Sequence, residues 1–235
     1  HQNNLEEFKI RFLITDNDTG ALTGDVSAYS TYNGRVLFDD CNVMSGAEMS
    51  EVYSRRIYRI DNSTGNVNIG STWDRNKRRS EKGFVMRNRA EILAFRRAML
   101  SIRGRQTSFY IPTFIEDLEV KATLQLGSST LDIENIEYER FVQSRLGKTI
   151  FRITFNDGAA ALIRTVTAAT GVDSSTERLT TGSDTWPIEQ AVSTIARIEW
   201  YELVRFDADS IPITYPRIGL ASSKMPLVQV FDDNV

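Results

Sequence analysis

Clustered carboxylates are the residues of this chain whose type and spacing could do chemistry. Glu134, Glu137 and Glu139 lie within six residues, and Asp207 and Asp209 form a second pair. Two carboxylates on either side of a sugar bond are sufficient for glycoside hydrolysis, in which one is the acid and the other the base or nucleophile. Acids so close in sequence are more typical of solvated turns and strand edges, so we expect neither cluster to be catalytic.

Other catalytic classes lack the residues they need. His1 is the single histidine, which excludes Ser-His-Asp and Cys-His hydrolases and the usual zinc sites. No glycine-rich phosphate loop occurs. Asp16, Asp18 and Gly20 are similar to the start of a calcium loop, but Ala21 and Ser27 break the pattern where a glycine and a bidentate glutamate belong. The sequence therefore predicts no enzyme, no metal site and no cofactor.

An amphipathic helix is predicted over residues 88–103. Asn88 is a candidate N-cap, with Glu91 three residues later in a variant of the capping box. The apolar residues then recur at helical spacing on one face, which carries Ile92, Phe95, Met99 and Ile102. Arg89, Arg96, Arg97 and Arg103 fall largely on the remaining surface, and Gly104 lies where a left-handed C-terminal residue would end the helix.

The segment after this helix favours a β-strand. Phe109, Tyr110, Ile111 and Phe114 are strand formers, and Pro112 among them cannot donate to a ladder and belongs at a strand end or edge. A second long strand is predicted over 195–206, with Trp200 in its core-facing set. These two strands and the helix are the elements that position the arginine-rich surface.

The same residues carry a family resemblance. Three successive features, Arg103-Gly104-Arg105, the segment Phe109-Tyr110-Ile111-Pro112-Thr113-Phe114, and Glu116-Asp117-Leu118, resemble the distal tail protein or the baseplate hub of long-tailed bacteriophages. The segment from Ala196 to Ser210 is similar to the returning strand and turn of those proteins. The similarity covers roughly residues 50–120 and 195–232 and does not decide between distal tail protein and hub.

The resemblance implies a fold, a role and partners. The fold would be mainly β with one amphipathic helix, a β-barrel or sandwich core carrying an inserted small β-domain. The chain would be a structural subunit of a tail-tip or baseplate ring that joins the tail tube to distal components. Its partners would be copies of itself, in a three-fold or six-fold ring, and neighbouring tail-tube and baseplate proteins. It would be assembled in the host bacterial cytoplasm and end in the virion tail.

The charge distribution is uneven. Residues 75–105 hold eleven Lys/Arg against two acids, whereas the rest of the chain holds 17 basic and 29 acidic residues. A solvated basic face, a nucleic-acid site around Arg75–Lys82, and a basic face that packs on the acidic face of the next copy are all compatible with this pattern. The resemblance favours packing between copies, and the acidic total argues against a specific nucleic-acid partner.

Composition and the pattern of short apolar runs and turns predict two β-rich regions. The 235 residues are 41% hydrophobic and 25% charged, which is ordinary for a folded protein. No apolar run approaches the ~20 residues that span a bilayer, and the lone Cys41 fits a reducing compartment. Residues 1–116 with 195–235 are predicted as the host domain. Residues 117–194, with a hairpin turn at Asn156-Asp157-Gly158, are predicted as the inserted domain.

Contact residues can also be predicted. The arginines of the helix and its exit, with the aromatic residues that follow, would meet a neighbouring subunit: Arg96, Arg97, Arg103, Arg105, Phe109, Tyr110 and Phe114. Trp73 beside the basic segment is a possible ligand or partner contact. The alternative function is a carbohydrate- or receptor-binding module of a phage tail, using Trp73 or the inserted domain.

Overall fold

The computed structural model describes residues 6–11, 30–39, 50–61, 67–71, 76–143 and 147–231. In chain order the elements are β1 (Glu6–Arg11), β2 (Thr31–Tyr32), β3 (Arg35–Val36), β4 (Ser50–Ser54), β5 (Ile57–Asp61), β6 (Val67–Ser71), β7 (Lys77–Met86), α1 (Arg89–Ile102), β8 (Phe109–Pro112), β9 (Thr130–Glu134), β10 (Ile150–Phe155), β11 (Leu162–Thr165), β12 (Ala168–Gly171), β13 (Thr176–Thr180), β14 (Ile195–Phe206), β15 (Ser210–Arg217) and β16 (Leu220–Gln229).

The predicted fold class is confirmed. The described chain is mainly β with one long helix, and its sheets are open and sandwich-like. It divides into two compact units, the first made of residues 1–110 and 203–235 and the second of residues 111–202. The unit boundaries therefore fall at 110/111 and 202/203, where the sequence placed them at 116/117 and 194/195.

The first unit is built on a long antiparallel sheet. β16 lies between β15 and β7, β15 pairs with β1, and β7 pairs with β4 on its other edge. The end of β14 also pairs with β16, from Val204 to Phe206. An aromatic cluster of edge-to-face and tilted rings fills the core of this unit: Phe38, Phe84, Phe95, Phe109 and Phe206.

The second unit is a smaller β assembly. β10 forms a hairpin with β11 and pairs on its other side with the first half of β14. β13 lies between β12 and β9 in a three-stranded sheet. The core holds two tryptophans, Trp186 and Trp200, and the Trp200 ring stacks on Tyr138 at 5.4 Å. The predicted 195–206 strand, the hairpin at Gly158 and the core position of Trp200 are confirmed.

The polar and basic composition of residues 69–82 predicts a long exposed loop before the helix, and for the described residues 69–71 and 76–82 that prediction is wrong. β6 runs to Ser71, and β7 begins at Lys77 and is hydrogen-bonded on both edges. The inward positions of β7 alternate as in any half-buried strand, but several of them are polar. Arg78 and Lys82 are buried, and Arg78 pairs with Glu51 at 3.3 Å. Charged residues on the core-facing positions concealed the strand period.

Three further segments differ from what their sequences predict, which is one strand over 52–60, strand-like residues over 118–126, and loop with one short strand at most over 170–185. Residues 52–60 do not form one strand, because β4 and β5 are separate. Residues 118–126, predicted as strand-like, make only isolated bridges at Val120 and Leu124. Residues 170–185, predicted as loop with one short strand at most, hold the end of β12 and all of β13 around a turn, in which the Asp173 carboxylate accepts from Ser175 N and Thr176 N.

The second unit also contains helical turns that the sequence did not predict. A π-helical turn covers Tyr138–Gln143, and a 3-10 turn covers Val192–Thr194. The Glu177 carboxylate accepts from the backbone N–H of Tyr138 with both oxygens, at 3.0 and 2.9 Å. This acceptor, 39 residues away in sequence, fixes the start of the turn, and no local pattern of helix periodicity could reveal it.

Candidate subunit-contact surface

The helix α1 forms as its sequence predicts. Asn88 Oδ1 accepts from Glu91 N at 2.9 Å, and the Glu91 carboxylate accepts from Arg87 N at 2.7 Å and from Asn88 Nδ2 at 2.6 Å. In a capping box the glutamate accepts from the backbone N–H of the N-cap residue. Here Glu91 accepts instead from the N–H of Arg87, the residue before Asn88. The buried face comprises the four predicted residues and Ala98: Ile92, Phe95, Ala98, Met99 and Ile102.

The outer face of α1 combines arginines with leucines. Arg89, Leu93, Arg97 and Leu100 recur at spacings of four, four and three, and all are exposed. Arg103 follows directly after the last turn and is also exposed. We call these five residues the helix face. Glu91 is the only acid on the helix and is engaged in the cap, so the helix face carries positive charge and no carboxylate.

Arg103 has a particular backbone position. It ends α1 with φ 54°, and Gly104 follows with φ 66° before a 3-10 turn over Gly104–Gln106. The left-handed residue that ends the helix is therefore Arg103, one position before the predicted Gly104. Two successive left-handed residues turn the chain sharply after the helix, and they leave the Arg103 side chain exposed at its end.

Two predicted contact arginines are held within the chain. Arg96 Nη2 donates to Tyr215 Oη at 2.7 Å, and its guanidinium lies 5.8 Å from the centre of the Tyr215 ring. Arg105 Nε lies 3.5 Å from Asp209 Oδ1, and Arg105 Nη2 donates to the Asp207 carbonyl. Both side chains make contacts within the first unit, although Arg105 is itself exposed, so Arg97 and Arg103 are the predicted contact arginines that make no ion pair among the described residues.

The predicted aromatic contacts are also corrected. Phe109 is completely buried, 5.0 Å from the Phe206 ring, and Tyr110 is buried with an edge-to-face contact to Tyr32. These two side chains do not reach the surface of the chain, because their strand β8 is buried at every position. Phe114 is half-buried in the second unit, at φ 64°. Pro112 ends β8, as predicted for a residue without an N–H.

Residues of the helix face that sequence reasoning missed are the leucines. Leu93 and Leu100 were not singled out, although their spacing of seven places them two helical turns apart on one side. The sequence signal for them was that apolar residues occur on the outer side of the helix as well as on its buried face. Exposed leucines between arginines are typical of a surface that packs on a partner, since the rim stays charged and the centre is apolar.

The charges of the two units have opposite signs. The second unit holds eight Lys/Arg against fourteen Asp/Glu, whereas the remaining chain holds twenty against seventeen. Several of its exposed carboxylates have no Lys or Arg partner among the described residues: Glu116, Glu139, Asp184 and Glu189. Arg89, Arg97 and Arg103 likewise make no ion pair within the described part of the chain. Among the described residues, the chain therefore presents unpaired positive charge on one unit and unpaired negative charge on the other.

The buried charges of the second unit are, in contrast, internally paired. Arg152 Nε donates to Glu199 Oε1 at 2.7 Å across the β10–β14 pair. Lys148 Nζ lies 3.5 Å from Asp117 Oδ1 and 3.7 Å from Glu202 Oε1. Burial, and then the charge of Glu177, raise the pKa of the Tyr138 phenol far above its ordinary value. These groups fix the interior of the unit, and we assign none of them to chemistry.

The clustered carboxylates are exposed or lie in ion pairs. Glu134, Glu137 and Glu139 are exposed, and Glu137 pairs with Arg140 at 3.0 Å. Asp207 pairs with Arg79 and Asp209 with Arg105 at the turn before β15. The residues that the structure describes include no cluster of three or more His, Cys, Asp or Glu suited to a metal ion.

The tryptophans separate into buried and undescribed positions. Trp186 is buried in the core of the second unit and donates from Nε1 to the Thr130 carbonyl at 2.8 Å. Trp73, the predicted partner contact, lies outside the described residues, as do Cys41 and the Asp16–Gly20 segment.

The sequence matches no protein-family model and no curated protein sequence. Among the helices that the structure describes, none is long and apolar enough to cross a membrane.

Proposed function

We propose that this chain is a structural subunit of a phage tail-tip or baseplate ring, which joins the tail tube to distal components and acts by assembling with copies of itself. The resemblance of residues 50–120 and 195–232 to distal tail proteins and baseplate hubs suggests the setting. The observation that carries the mechanism is the helix face, an exposed row of arginines and leucines on a chain whose other unit is acidic.

The contact would be heterologous, with the helix face of one copy on the second unit of the next. Opposite charges on different surfaces of one chain favour such head-to-tail packing, and a ring forms when the rotation between copies closes. Arg97 and Arg103 would form charge-assisted hydrogen bonds with carboxylates of the neighbour. Leu93 and Leu100 would supply apolar area between them.

The mass of the full chain in solution tests this proposal. We expect native mass spectrometry and light scattering to give a discrete closed oligomer. A three-fold particle would favour the hub and a six-fold particle the distal tail protein. A chain that stays monomeric at high concentration would contradict self-assembly.

Charge reversal tests the surface itself. Arg97→Glu with Arg103→Glu should leave the fold intact, because both side chains are exposed, and should weaken the oligomer. Arg96 is left unchanged, since its bond to Tyr215 would make its loss a folding defect. The control is Arg205→Glu with Arg217→Glu, which gives the same charge change at two exposed arginines elsewhere. Equal assembly of the two variants would contradict the role of the helix face.

The carbohydrate- or receptor-binding alternative relied on Trp73 or on the inserted domain, and the described residues include no exposed tryptophan. Trp186 is buried, and Trp73 lies outside the described residues. We therefore advance one function, and the choice between distal tail protein and hub remains for the stoichiometry to make.

A further inference from the structure

A two-stranded ribbon in the first unit exposes an unusual amount of apolar surface. β5 and β6 pair antiparallel in register from Ile57↔Ser71 to Asp61↔Val67, and both strands are exposed along most of their length. Five large apolar side chains on the ribbon have exposed fractions of 41–67%: Ile57, Tyr58, Ile60, Val67 and Ile69.

The exposed side chains lie on both faces of the ribbon. Directly opposed residues share a face, so Ile57, Ile69 and Val67 lie on one side and Tyr58 and Ile60 on the other. A strand that covers a core shows apolar residues on one face only. Here both faces carry exposed apolar side chains, so the ribbon does not have the one-sided pattern of a strand that covers a core.

The ribbon is well defined at its base and neutral in charge. Ser71 Oγ accepts from Arg55 Nε at 3.1 Å and donates to the Arg56 carbonyl at 3.0 Å. Arg59 and Asp61 pair with each other at 3.6 Å. A Cβ built at Gly70 would overlap the Tyr58 ring, so the tyrosine lies over the opposite strand. The charges within the two strands therefore cancel, which fits packing on an apolar protein surface.

Exposed apolar area and the low stability of isolated ribbons favour a ribbon that is covered in the assembled protein. An isolated two-stranded ribbon is only marginally stable in water, and its outer edges carry no further strand among the described residues. The five side chains expose roughly 500 Å² over the two faces, which is more than half of the ~800 Å² that each partner gives to a standard interface.

We propose that the ribbon β5–β6 is an arm that packs on a second copy of this chain. The inference rests on the proposed self-assembly and names a contact distinct from the helix face. The apolar area is more than half of what one partner gives to a standard interface, and the two charges within the strands, Arg59 and Asp61, pair with each other. Apolar side chains on both faces mean that the neighbouring copy buries the ribbon on two sides.

The test compares matched isoleucine changes in the full chain. Ile57→Thr with Ile69→Thr removes apolar area from one face and keeps a β-branched residue at each position. Ile218→Thr is the control, because Ile218 is fully exposed at the β15–β16 turn, away from the ribbon strands in sequence. Dissociation constants come from sedimentation velocity. A photoreactive phenylalanine analogue placed at residue 69 reports the neighbour independently of any change in stability.

The outcomes separate this inference from the proposed function. We expect the double variant to raise the dissociation constant at least ~10-fold, the control to change it less than ~2-fold, and the cross-link to join two copies. An oligomer that dissociates like the unmodified chain, or a cross-link confined to one copy, would overturn the arm and leave self-assembly standing. A monomeric unmodified chain would overturn the ring proposal and the arm with it.

Discussion

Asp117 illustrates how a single side chain fastens the second unit. Its Oδ2 accepts from the Thr113 hydroxyl and from Trp200 N at 2.9 Å, while Lys148 Nζ approaches Oδ1. Backbone bonds run in parallel, from Thr113 N to the Trp200 carbonyl and from Asp117 N to the Ile198 carbonyl. The segment that enters the unit is thereby tied to the strand that leaves it, although more than 80 residues separate them.

We expect Asp117→Ala to lower the free energy of unfolding by about 2–4 kcal/mol, because it orphans Trp200 N and removes a partner of the buried Lys148. Urea unfolding followed by tryptophan fluorescence measures the change. Asp184→Ala is the control, since the Asp184 side chain is exposed and makes no hydrogen bond among the described residues. Equal losses in the two variants would show that the network around Asp117 adds no stability.

The sequence predicts which side chains belong to the arginine-rich region, but it does not predict which of them are already held by contacts within the chain. The helical period correctly placed Arg97 and Arg103 outside. It placed Arg96 with them, because nothing local reveals Tyr215, which lies 119 residues away and accepts from its guanidinium. Phe109 was assigned to a contact on chemical type alone, and burial by Phe38 and Phe206 reverses that assignment.

At the element scale, the helix cap makes a prediction of its own. Asn88→Ala removes the acceptor for Glu91 N and the donor to Glu91 Oε1, so we expect a loss of about 1 kcal/mol in the free energy of unfolding. Asn88→Ser keeps an oxygen acceptor for Glu91 N, adds no second carboxylate beside Glu91, and should recover most of that loss. Thermal and urea unfolding of the three proteins give the comparison. An alanine variant as stable as the original would contradict the cap.

The elements that sequence predicted well are those whose signals are local. The cap and period define α1, and an Asn-Asp-Gly turn marks the hairpin of β10 and β11. The strand β7 was not predicted, because Arg78 and Lys82 occupy core-facing positions and interrupt the apolar alternation. Arg78 depends on a partner from another strand. Residues 118–126 fail in the opposite way. Their apolar residues alternate as in a strand, but the segment forms only isolated bridges.

At the scale of the whole molecule, the charges and the apolar surfaces suggest two different kinds of contact. In the proposed ring, the helix face would place positive charge against an acidic neighbour, and that attraction would depend on ionic strength. The proposed arm would bury apolar area, and that contribution would not weaken when salt screens charges. The two proposals can therefore be separated in one series of measurements, without a structure of the assembly.

We expect the dissociation constant of the oligomer to rise several-fold as NaCl goes from ~0.05 M to ~0.5 M, because the Debye length falls from above 10 Å to about 4 Å. The variant Arg97→Glu with Arg103→Glu should show a smaller salt dependence, since the attraction has been removed from the outset. The variant Ile57→Thr with Ile69→Thr should keep the original dependence at a weaker affinity. Sedimentation velocity across the salt series measures all three. An oligomer that tightens monotonically with salt would show that apolar burial alone drives assembly and would remove the charge pairing from the mechanism.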